Sequence, residues 1–322
     1  MKIEKVATTR NFLDWPSNDL VYEWEDVFSD SLKVSLYYIK EGIYNKFVKR
    51  IPFINKVLPS NQNIFIYEMI PVTHHHLWNK KNVLPCIIDF YLTKNILNKF
   101  YSSYKNNPVV FISSKEAYLF LKENNCPLNI MHLPLSISDK YKITSETRFD
   151  KKYDLLMMGR QNPILEDFTY KYAEKHKDFL YVYRKLVNKQ FLYYTSKGEC
   201  IGDINTRERY MQLMQQSRCG LYSTPGIDGG EKRTNGFNQV TPRFLELVVS
   251  GCHVIARYKT NADTDFYQLN EFSPSVETYE EFENLMDNAR SNDVDMGKYA
   301  AYLSKHYTSE RVESLQTLIN KL

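Results

Sequence analysis

The segment 235–258, "NGFNQVTPRFLELVVSGCHVIARY", carries the residues whose types and spacing best fit ligand chemistry. Thr241 and Pro242 are a typical N-cap and first-turn pair, so an apolar helix is predicted to begin at about residue 242. The free N–H groups of a helix start favour an anion such as a diphosphate, and Arg243 reinforces that charge. Glu246, one turn further on, can accept hydrogen bonds from a ribose diol. The alternative is an ordinary Arg–Glu pair on a helix surface.

A second pair of residues follows a buried strand in "YDLLMMGR" (153–160). Gly159 permits a close approach of the backbone to a ligand, and Arg160 offers a forked donor that matches phosphate. The alternative is a turn with a solvated arginine. Arg184 and Lys185, towards the end of the predicted strand 179–186, are assigned to the same anion site.

The glycine-rich stretch "GIDGGEKRTNGFNQ" (226–239) contains no apolar periodicity and is predicted to be a long loop. Its spacing matches neither a Walker loop nor a GxGxxG fingerprint. A long loop at the mouth of a strand is more often functional than not, although a simple surface excursion is the alternative.

The first half of the chain offers candidate proton acceptors. His74, His75 and His76 follow a predicted strand, and three consecutive histidines point in different directions, which argues against one shared metal. One of them is a candidate general base, and the alternative is a polar loop with one satisfied histidine. Asp89 lies within an apolar run, where a carboxylate must be paired or reach a site, and it is a second candidate base.

These residues must be positioned by an alternation of strands and helices, the βαβ pattern. Apolar runs rich in Ile, Val, Phe and Tyr alternate with a helix that Ser114 is predicted to cap, which is typical of a parallel sheet. The same pattern begins again after the polar stretch 136–154, which we interpret as a linker. In this second half a helix is predicted to be capped by Thr206. The predicted strands of the two halves are 63–70, 83–92, 108–113, 129–135, 153–160, 179–186 and 219–225.

The predicted fold class is therefore α/β, with two Rossmann-like domains facing a central cleft. The expected limits are 1–145 for an N-terminal domain and 146–322 for a C-terminal domain, with the last helix packing back on the N-terminal domain. Ligands bind at the carboxyl ends of the strands in such sheets.

Composition argues against several other classes of protein. The formal net charge of +4, from 42 basic and 38 acidic residues, is too small to indicate nucleic-acid binding. Five scattered cysteines without a CxxC pair favour a reducing compartment and argue against a zinc knuckle. The N-terminus lacks a secretory apolar region, and no run is long enough to span a bilayer, so a cytoplasmic protein is expected.

The segment "RFLELVVSGCHVIARY" resembles the nucleotide-binding segment of GT-B-fold glycosyltransferases, closest to the spore-maturation-protein-like (CgeB-like) group. "KYDLLMMGR" is similar to the start of that family's C-terminal domain, and "KHYTSERVESLQTLI" to its closing helix. "VVFISSKEAYLFLKENN" and "IMHLPLSI" resemble the end of its N-terminal domain. The resemblance covers about residues 83–322.

The resemblance implies roles for single residues. Glu246 matches the glutamate that binds the nucleotide ribose, Arg160 falls at a phosphate-binding position, and Arg243 stands at the helix start of the group. Where the commoner retaining pattern has a second glutamate, eight residues earlier, this chain has Asn238. That departure leaves the sugar contact and the stereochemical outcome open.

The resemblance implies a glycosyltransferase with a nucleotide-sugar as co-substrate, and we expect it to be metal-independent and to need no other cofactor. The resemblance implies that the acceptor is a glycan or lipid-linked molecule of bacterial surface-polysaccharide or glycoconjugate synthesis, and no nucleic-acid partner is expected. The basic, apolar segment 43–58 predicts peripheral contact with the inner-membrane surface. The alternatives are a sugar-phosphate epimerase or phosphorylase, a nucleic-acid-binding protein, or a non-catalytic nucleotide-binding subunit.

Overall fold

The computed structural model describes residues 1–13, 16–39 and 61–321, which form two compact units. The basic segment 43–58 lies outside these residues. Unit 1 comprises the described parts of Met1–Lys140, Arg233–Gln239 and His306–Leu322, and unit 2 comprises Tyr141–Lys232 and Val240–Lys305. The chain first leaves unit 1 after Lys140 and returns to it at Arg233 and at His306.

Unit 1 is built on a six-stranded parallel sheet in the order β2-β1-β3-β4-β5-β6. Short β-branched and aromatic runs form these strands, and most of their residues are buried, as expected when helices cover both faces. The strands are β1 (Lys5–Thr8), β2 (Ser35–Tyr38), β3 (Ile64–Glu68), β4 (Val83–Ile87), β5 (Val110–Ile112) and β6 (Ile130–His132).

Unit 2 contains a second six-stranded sheet, in the order β10-β9-β8-β7-β11-β12. Strands β8, β7, β11 and β12 are parallel, and β9 and β10 continue the sheet as antiparallel strands. The strands are β7 (Tyr153–Leu156), β8 (Tyr181–Val187), β9 (Gln190–Thr195), β10 (Cys200–Gly202), β11 (Ser217–Ser223) and β12 (His253–Arg257).

The α-helices of the described ranges lie between the strands as far as β12, and the last five follow it. The predicted side-chain caps Ser114 and Thr206 are both confirmed. In chain order they are α1 (Pro16–Leu32), α2 (Leu97–Tyr104), α3 (Lys115–Glu123), α4 (Pro163–Lys175), α5 (Arg207–Gln215), α6 (Arg243–Val249), α7 (Ala262–Phe266), α8 (Leu269–Phe272), α9 (Tyr279–Ser291), α10 (Met296–Leu303) and α11 (Thr308–Ile319).

Helix α11, the last in the described chain, packs against α1 within unit 1. Its buried face supplies Val312, Leu315 and Ile319 to the same core as β1 and β3. The buried Arg311 reinforces this packing by donating to the carbonyls of Pro134 and Leu135 at 3.2 and 3.3 Å.

The start of α6 differs from the prediction. Pro242, not Thr241, occupies the N-cap position, and no side chain caps the helix. The Thr241 N–H instead binds the Tyr222 hydroxyl at 3.0 Å, which holds this residue on β11. With only seven residues, the helix contributes less to an anion site than the sequence suggested, so the charge must come from side chains.

Candidate anion site in unit 2

Gly159 and Arg243 form the centre of the site, at the carboxyl end of β7. Gly159 adopts a φ of +70°, which a residue with a side chain rarely tolerates. A Cβ at this position would lie 2.3 Å from an Nη atom of Arg243. Glycine is therefore required at this position for two reasons: the turn needs a positive φ, and the Arg243 guanidinium fills the space of a Cβ.

Arg184 reaches the same region from the hairpin of β8 and β9. It is paired in register with Tyr193, and its guanidinium carbon lies 4.0 Å from the centre of the Phe191 ring. The Tyr193 hydroxyl in turn contacts the Met158 sulfur at 3.0 Å, next to Gly159. The hairpin thus carries both a cation and the aromatic side chains that hold it.

The electrostatics show that Arg160, Arg184 and Arg243 act on one another, and we call these three residues the arginine cluster. Burial lowers the pKa of Arg184, and the charges of Arg243 and Arg160 lower it further against an opposing effect of Tyr193. The Nε of Arg243 is buried without a hydrogen-bond partner among the described residues. Mutual repulsion and an unsatisfied donor are both relieved by a bound anion.

Arg160 is the exposed member of the cluster, and it pairs with Glu231 at 2.7 Å. Glu231 lies on the loop that follows β11, and Asp228 anchors this loop. The Asp228 carboxylate accepts from Arg257 at 2.6 Å and from Asn162 at 2.7 Å, and these bonds lower its pKa. The loop is thereby fixed beside the arginine cluster.

Glu246 is 3% exposed and is paired with two side chains of unit 2. It accepts hydrogen bonds from Arg207 and, at 3.0 Å, from the Tyr210 hydroxyl, both on α5. Tyr210 also contacts the Arg243 guanidinium, so it links the glutamate to the arginine cluster. Burial raises the pKa of Tyr210, as does the Glu246 charge, which keeps its hydroxyl protonated as a donor.

The structure brings together five of the predicted donor-binding residues, namely Gly159, Arg160, Arg184, Arg243 and Glu246. Lys185 is exposed and alternates with Arg184 along β8, so its side chain points to the other face of the sheet. Asn238 belongs to unit 1, where its N–H donates to Glu116 at 2.8 Å. The roles assigned to all of these residues stay predictions.

The loop segment 233–239 is anchored in unit 1 by an aromatic side chain. Phe237 is 8% exposed and packs edge-on against Phe90 and Phe120, with ring centres 6.2 and 5.2 Å apart. Asp89, a predicted base, lies beside this segment, with Gln239 at 3.5 Å and Arg233 at 3.8 Å. Its carboxylate is thus paired rather than isolated.

The three predicted histidines differ in their surroundings. His74 and His75 are exposed, whereas His76 is 3% exposed and lies 2.7 Å from the Ser103 carbonyl. Its other ring nitrogen lies 3.9 Å from Glu68. This packing is that of a structural histidine, and it leaves His74 and His75 as the solvent-accessible members of the group.

A cavity of about 230 Å³ in unit 1 opens at the carboxyl ends of β1 and β3. The strand order reverses between these two strands, which is the position where open parallel sheets bind ligands. Its wall includes Thr9, Tyr22, Glu25, Glu68 and Trp78. The sequence alone did not indicate this set, because the residues are far apart along the chain and follow no motif.

Glu25 is the buried carboxyl group of that wall. It is 3% exposed and accepts from Arg10 at 3.2 Å. Burial raises the pKa of Glu25 from 4.5 to about 7, against the opposing effects of Thr8 and Arg10. A carboxyl group with this pKa exchanges protons near neutral pH.

Metal ligands and membrane spans are both absent from the part of the chain that the structure describes. No group of three or more His, Cys, Asp and Glu side chains there is arranged to hold a metal ion. None of the helices in the same residues has the length and apolar character required to cross a membrane.

Comparison with solved structures shows what this fold is similar to. Sucrose-phosphate synthase from Thermosynechococcus elongatus aligns with a TM-score of 0.53 and 8% identity over 100% of this chain and 99% of that one. S. aureus TarM, solved with fondaparinux, α-GlcNAc-glycerol and UDP, gives a TM-score of 0.51 and 13% identity over 94% of this chain. The pneumococcal O-GlcNAc transferase GtfA, solved with UDP and GlcNAc, aligns with a TM-score of 0.50 and 11% identity over 84% of this chain.

The chain spans 58% of the TarM chain and 59% of the GtfA chain, so both contain further structure. No protein-family model matches the sequence, and a search of curated proteins finds no relative. At these low identities the likeness concerns the fold alone. The chain has the fold of GT-B glycosyltransferases, with a Rossmann-like sheet in each of its two units.

Proposed function

We propose that the protein is a glycosyltransferase that binds the diphosphate of a nucleotide-sugar donor at the arginine cluster of unit 2. The observation that carries this proposal is the convergence of Arg160, Arg184 and Arg243 beside Gly159 at the carboxyl edge of the sheet. Guanidinium groups match the geometry of phosphate, and a glycine without a side chain admits the pyrophosphate to the backbone. UDP in the structures of TarM and GtfA supports a uridine donor.

In the reaction, the arginines would stabilise the negative charge that develops on the departing nucleoside diphosphate. Glu246 would accept hydrogen bonds from the ribose, which requires it to exchange part of its bonding with Arg207 and Tyr210. Because the Glu246 carboxylate is buried, a ligand that displaces these donors must supply hydrogen-bond donors in their place. This requirement makes the nucleotide site specific.

The acceptor would bind in unit 1, at the cavity that contains Glu25. Its hydroxyl and carboxyl groups suit a hydroxyl-rich ligand, and Glu25 can accept a proton from an acceptor hydroxyl near neutral pH. His74, His75 and Asp89 stay alternative candidates for this role.

Finer features of the proposal rest on the sequence and on its resemblance to a known family. We extend it to a metal-independent hexosyltransferase near the spore-maturation-protein-like (CgeB-like) group, acting in bacterial surface-polysaccharide synthesis. A glycan or lipid-linked acceptor, a cytoplasmic location and peripheral contact with the inner membrane belong to the same extension. The acceptor domain would be 1–145 and the donor domain 146–322.

The proposal is tested by calorimetric titration with UDP, UMP and uridine at two salt concentrations. If the arginine cluster binds the diphosphate, affinity should fall from UDP to UMP to uridine, by about tenfold for each phosphate group removed, and should weaken in high salt. Hydrolysis or transfer from UDP-sugars, detected as UDP release, tests the reaction itself. Binding of UDP without release or transfer would favour a non-catalytic subunit, and equal binding of uridine and UDP would contradict the diphosphate site.

A further inference from the structure

A separate cavity of about 390 Å³ lies in unit 2 at the amino ends of β11 and β12. The arginine cluster lies at the carboxyl edge of the same sheet, and the seven residues of β11 separate the two edges by about 20 Å. The cavity is therefore not part of the proposed donor site. Its wall comes from residues 145–151, the first residues of the two strands, and the connection between α9 and α10.

Lys151 is the most informative residue of this wall. Its ammonium donates to the Ser217 and Ser250 carbonyls at 2.9 and 2.8 Å. Within the described chain, no carboxylate oxygen lies within 4.0 Å of it, although it is partly buried and burial lowers its pKa. The carbonyl dipoles and the more distant, exposed Asp293 carboxylate compensate this partly buried ammonium incompletely, because no negative charge contacts it directly.

The other charged groups of the wall leave an excess of positive charge. The Arg148 guanidinium donates to the carbonyls of Ser145 and Thr147, both at 2.8 Å, and forms no ion pair among the described residues. Arg218 pairs at 3.3 Å with Asp293, which is 88% exposed, so that pair is strongly screened by water. Asp295, the remaining carboxylate, caps α10 through the Lys298 N–H.

The cavity also has an apolar side. The Phe149 ring lies over Lys151, with the ammonium 5.3 Å from the ring centre, and the sulfur of Met296 lies near Gly251. The volume corresponds to about a dozen water molecules, which is more than a single inorganic ion fills. An occupant that satisfies both features carries a charged head and an organic body.

We propose that this cavity binds a small organic anion, whose phosphate or carboxylate head contacts Lys151 and Arg148 and whose body contacts Phe149. The negative charge of the ligand would neutralise the partly buried Lys151 ammonium, and the Phe149 ring would cover the apolar part of the ligand. This second site does not depend on the glycosyltransferase proposal, because it rests on other residues.

Calorimetry with phenyl phosphate, benzoate and phenol tests the proposal on the full chain. Phenyl phosphate and benzoate share the aromatic body and distinguish the two head groups, whereas phenol lacks the charge. We expect saturable binding of at least one anion and at least tenfold weaker binding of phenol. No saturable binding of either anion would overturn the proposal.

Variants locate the binding. Lys151→Met keeps the apolar stem and removes the charge, and Arg148→Ala removes only contacts within its own turn, so at least one should fold normally. Each should weaken anion binding about tenfold, whereas Lys152→Met, the exposed neighbour, should change it less than twofold. Arg184→Ala should leave the binding intact. Anion binding that survives Lys151→Met and Arg148→Ala but disappears in Arg184→Ala would place the anion at the arginine cluster and overturn the proposal.

Discussion

At the scale of single residues, the site in unit 2 depends on close approaches that only certain side chains permit. Gly159 combines a positive φ with a guanidinium in the space that a Cβ would occupy. Arg243 in turn is held by Tyr210, which also binds Glu246. A substitution at any of these positions therefore disturbs its neighbours as well as itself.

Substitution of Gly159 by alanine should weaken UDP binding at least tenfold, because the new methyl group displaces the Arg243 guanidinium. Gly198→Ala is the matched control, since Gly198 also has a positive φ, of +88°, but nothing lies within 4 Å of a Cβ there. Both variants should lose about 1 kcal/mol of stability from backbone strain. Calorimetry and urea denaturation separate the two effects, and equal UDP affinity in both variants would contradict the close-approach argument.

At the scale of elements, the hairpin of β8 and β9 positions part of the site. Val187 and Gln190 pair across a two-residue turn, where Asn188 and Lys189 both have positive φ values. Such turns match the right-handed twist of the strands, and asparagine tolerates them well. The turn fixes the register that places Arg184 opposite Tyr193, so hairpin geometry decides which basic side chain faces the site.

Neighbouring residues of β8 provide the test. Arg184→Ala should lower UDP affinity about tenfold, because it removes a guanidinium from the cluster. Lys185→Ala removes an equal charge from the other face of the strand and should lower UDP affinity less than twofold. Titration of both variants with UDP at low salt measures the difference. An equal loss in the two variants would mean that net charge, rather than the arginine cluster, controls binding.

At the scale of the whole molecule, buried ionisable groups link stability to pH. The folded chain holds the Glu25 proton up to about pH 7, whereas the unfolded chain releases it near 4.5. Between these values the folded state binds more protons, so this group's contribution to stability is present at low pH and is lost as pH rises towards 7. The paired Asp228, whose pKa is lowered, contributes in the opposite direction, losing stability as pH falls through its folded pKa.

Glu25→Gln should abolish the loss of stability that Glu25 causes as pH rises towards 7. Relative to the wild type, the variant's free energy of unfolding should rise with pH between 4.5 and 7 by about 3 kcal/mol, and then level off. Urea denaturation across this range measures the difference, and Glu123→Gln, at an exposed position of α3, is the control. Parallel curves for wild type and Glu25→Gln would contradict a raised pKa. UDP affinity should be unchanged in both variants, because neither residue belongs to unit 2.

Much of the fold was predictable because it follows from local patterns. Apolar runs of the strand type, with caps at Ser114 and Thr206, determined the α/β class and most of the elements. The antiparallel strands β9 and β10 were missed, because their Asn188–Lys189 turn lacks the glycine of the strongest hairpin signals. Gly159, Arg160, Arg243 and Glu246 could be predicted as site residues because they follow the predicted ends of strands or begin a helix.

The sequence by itself therefore determined the kind of secondary structure and predicted the sheet edge that carries the proposed donor site. Only the tertiary structure decided the partners, because contacts such as Glu246–Arg207 and Tyr193–Met158 join residues that lie 39 and 35 positions apart. The same holds for Asn238, which belongs to unit 1 because Phe237, one residue before it, is buried in that core. Long-range packing, which leaves no local periodicity, selected the side chains that meet at each site.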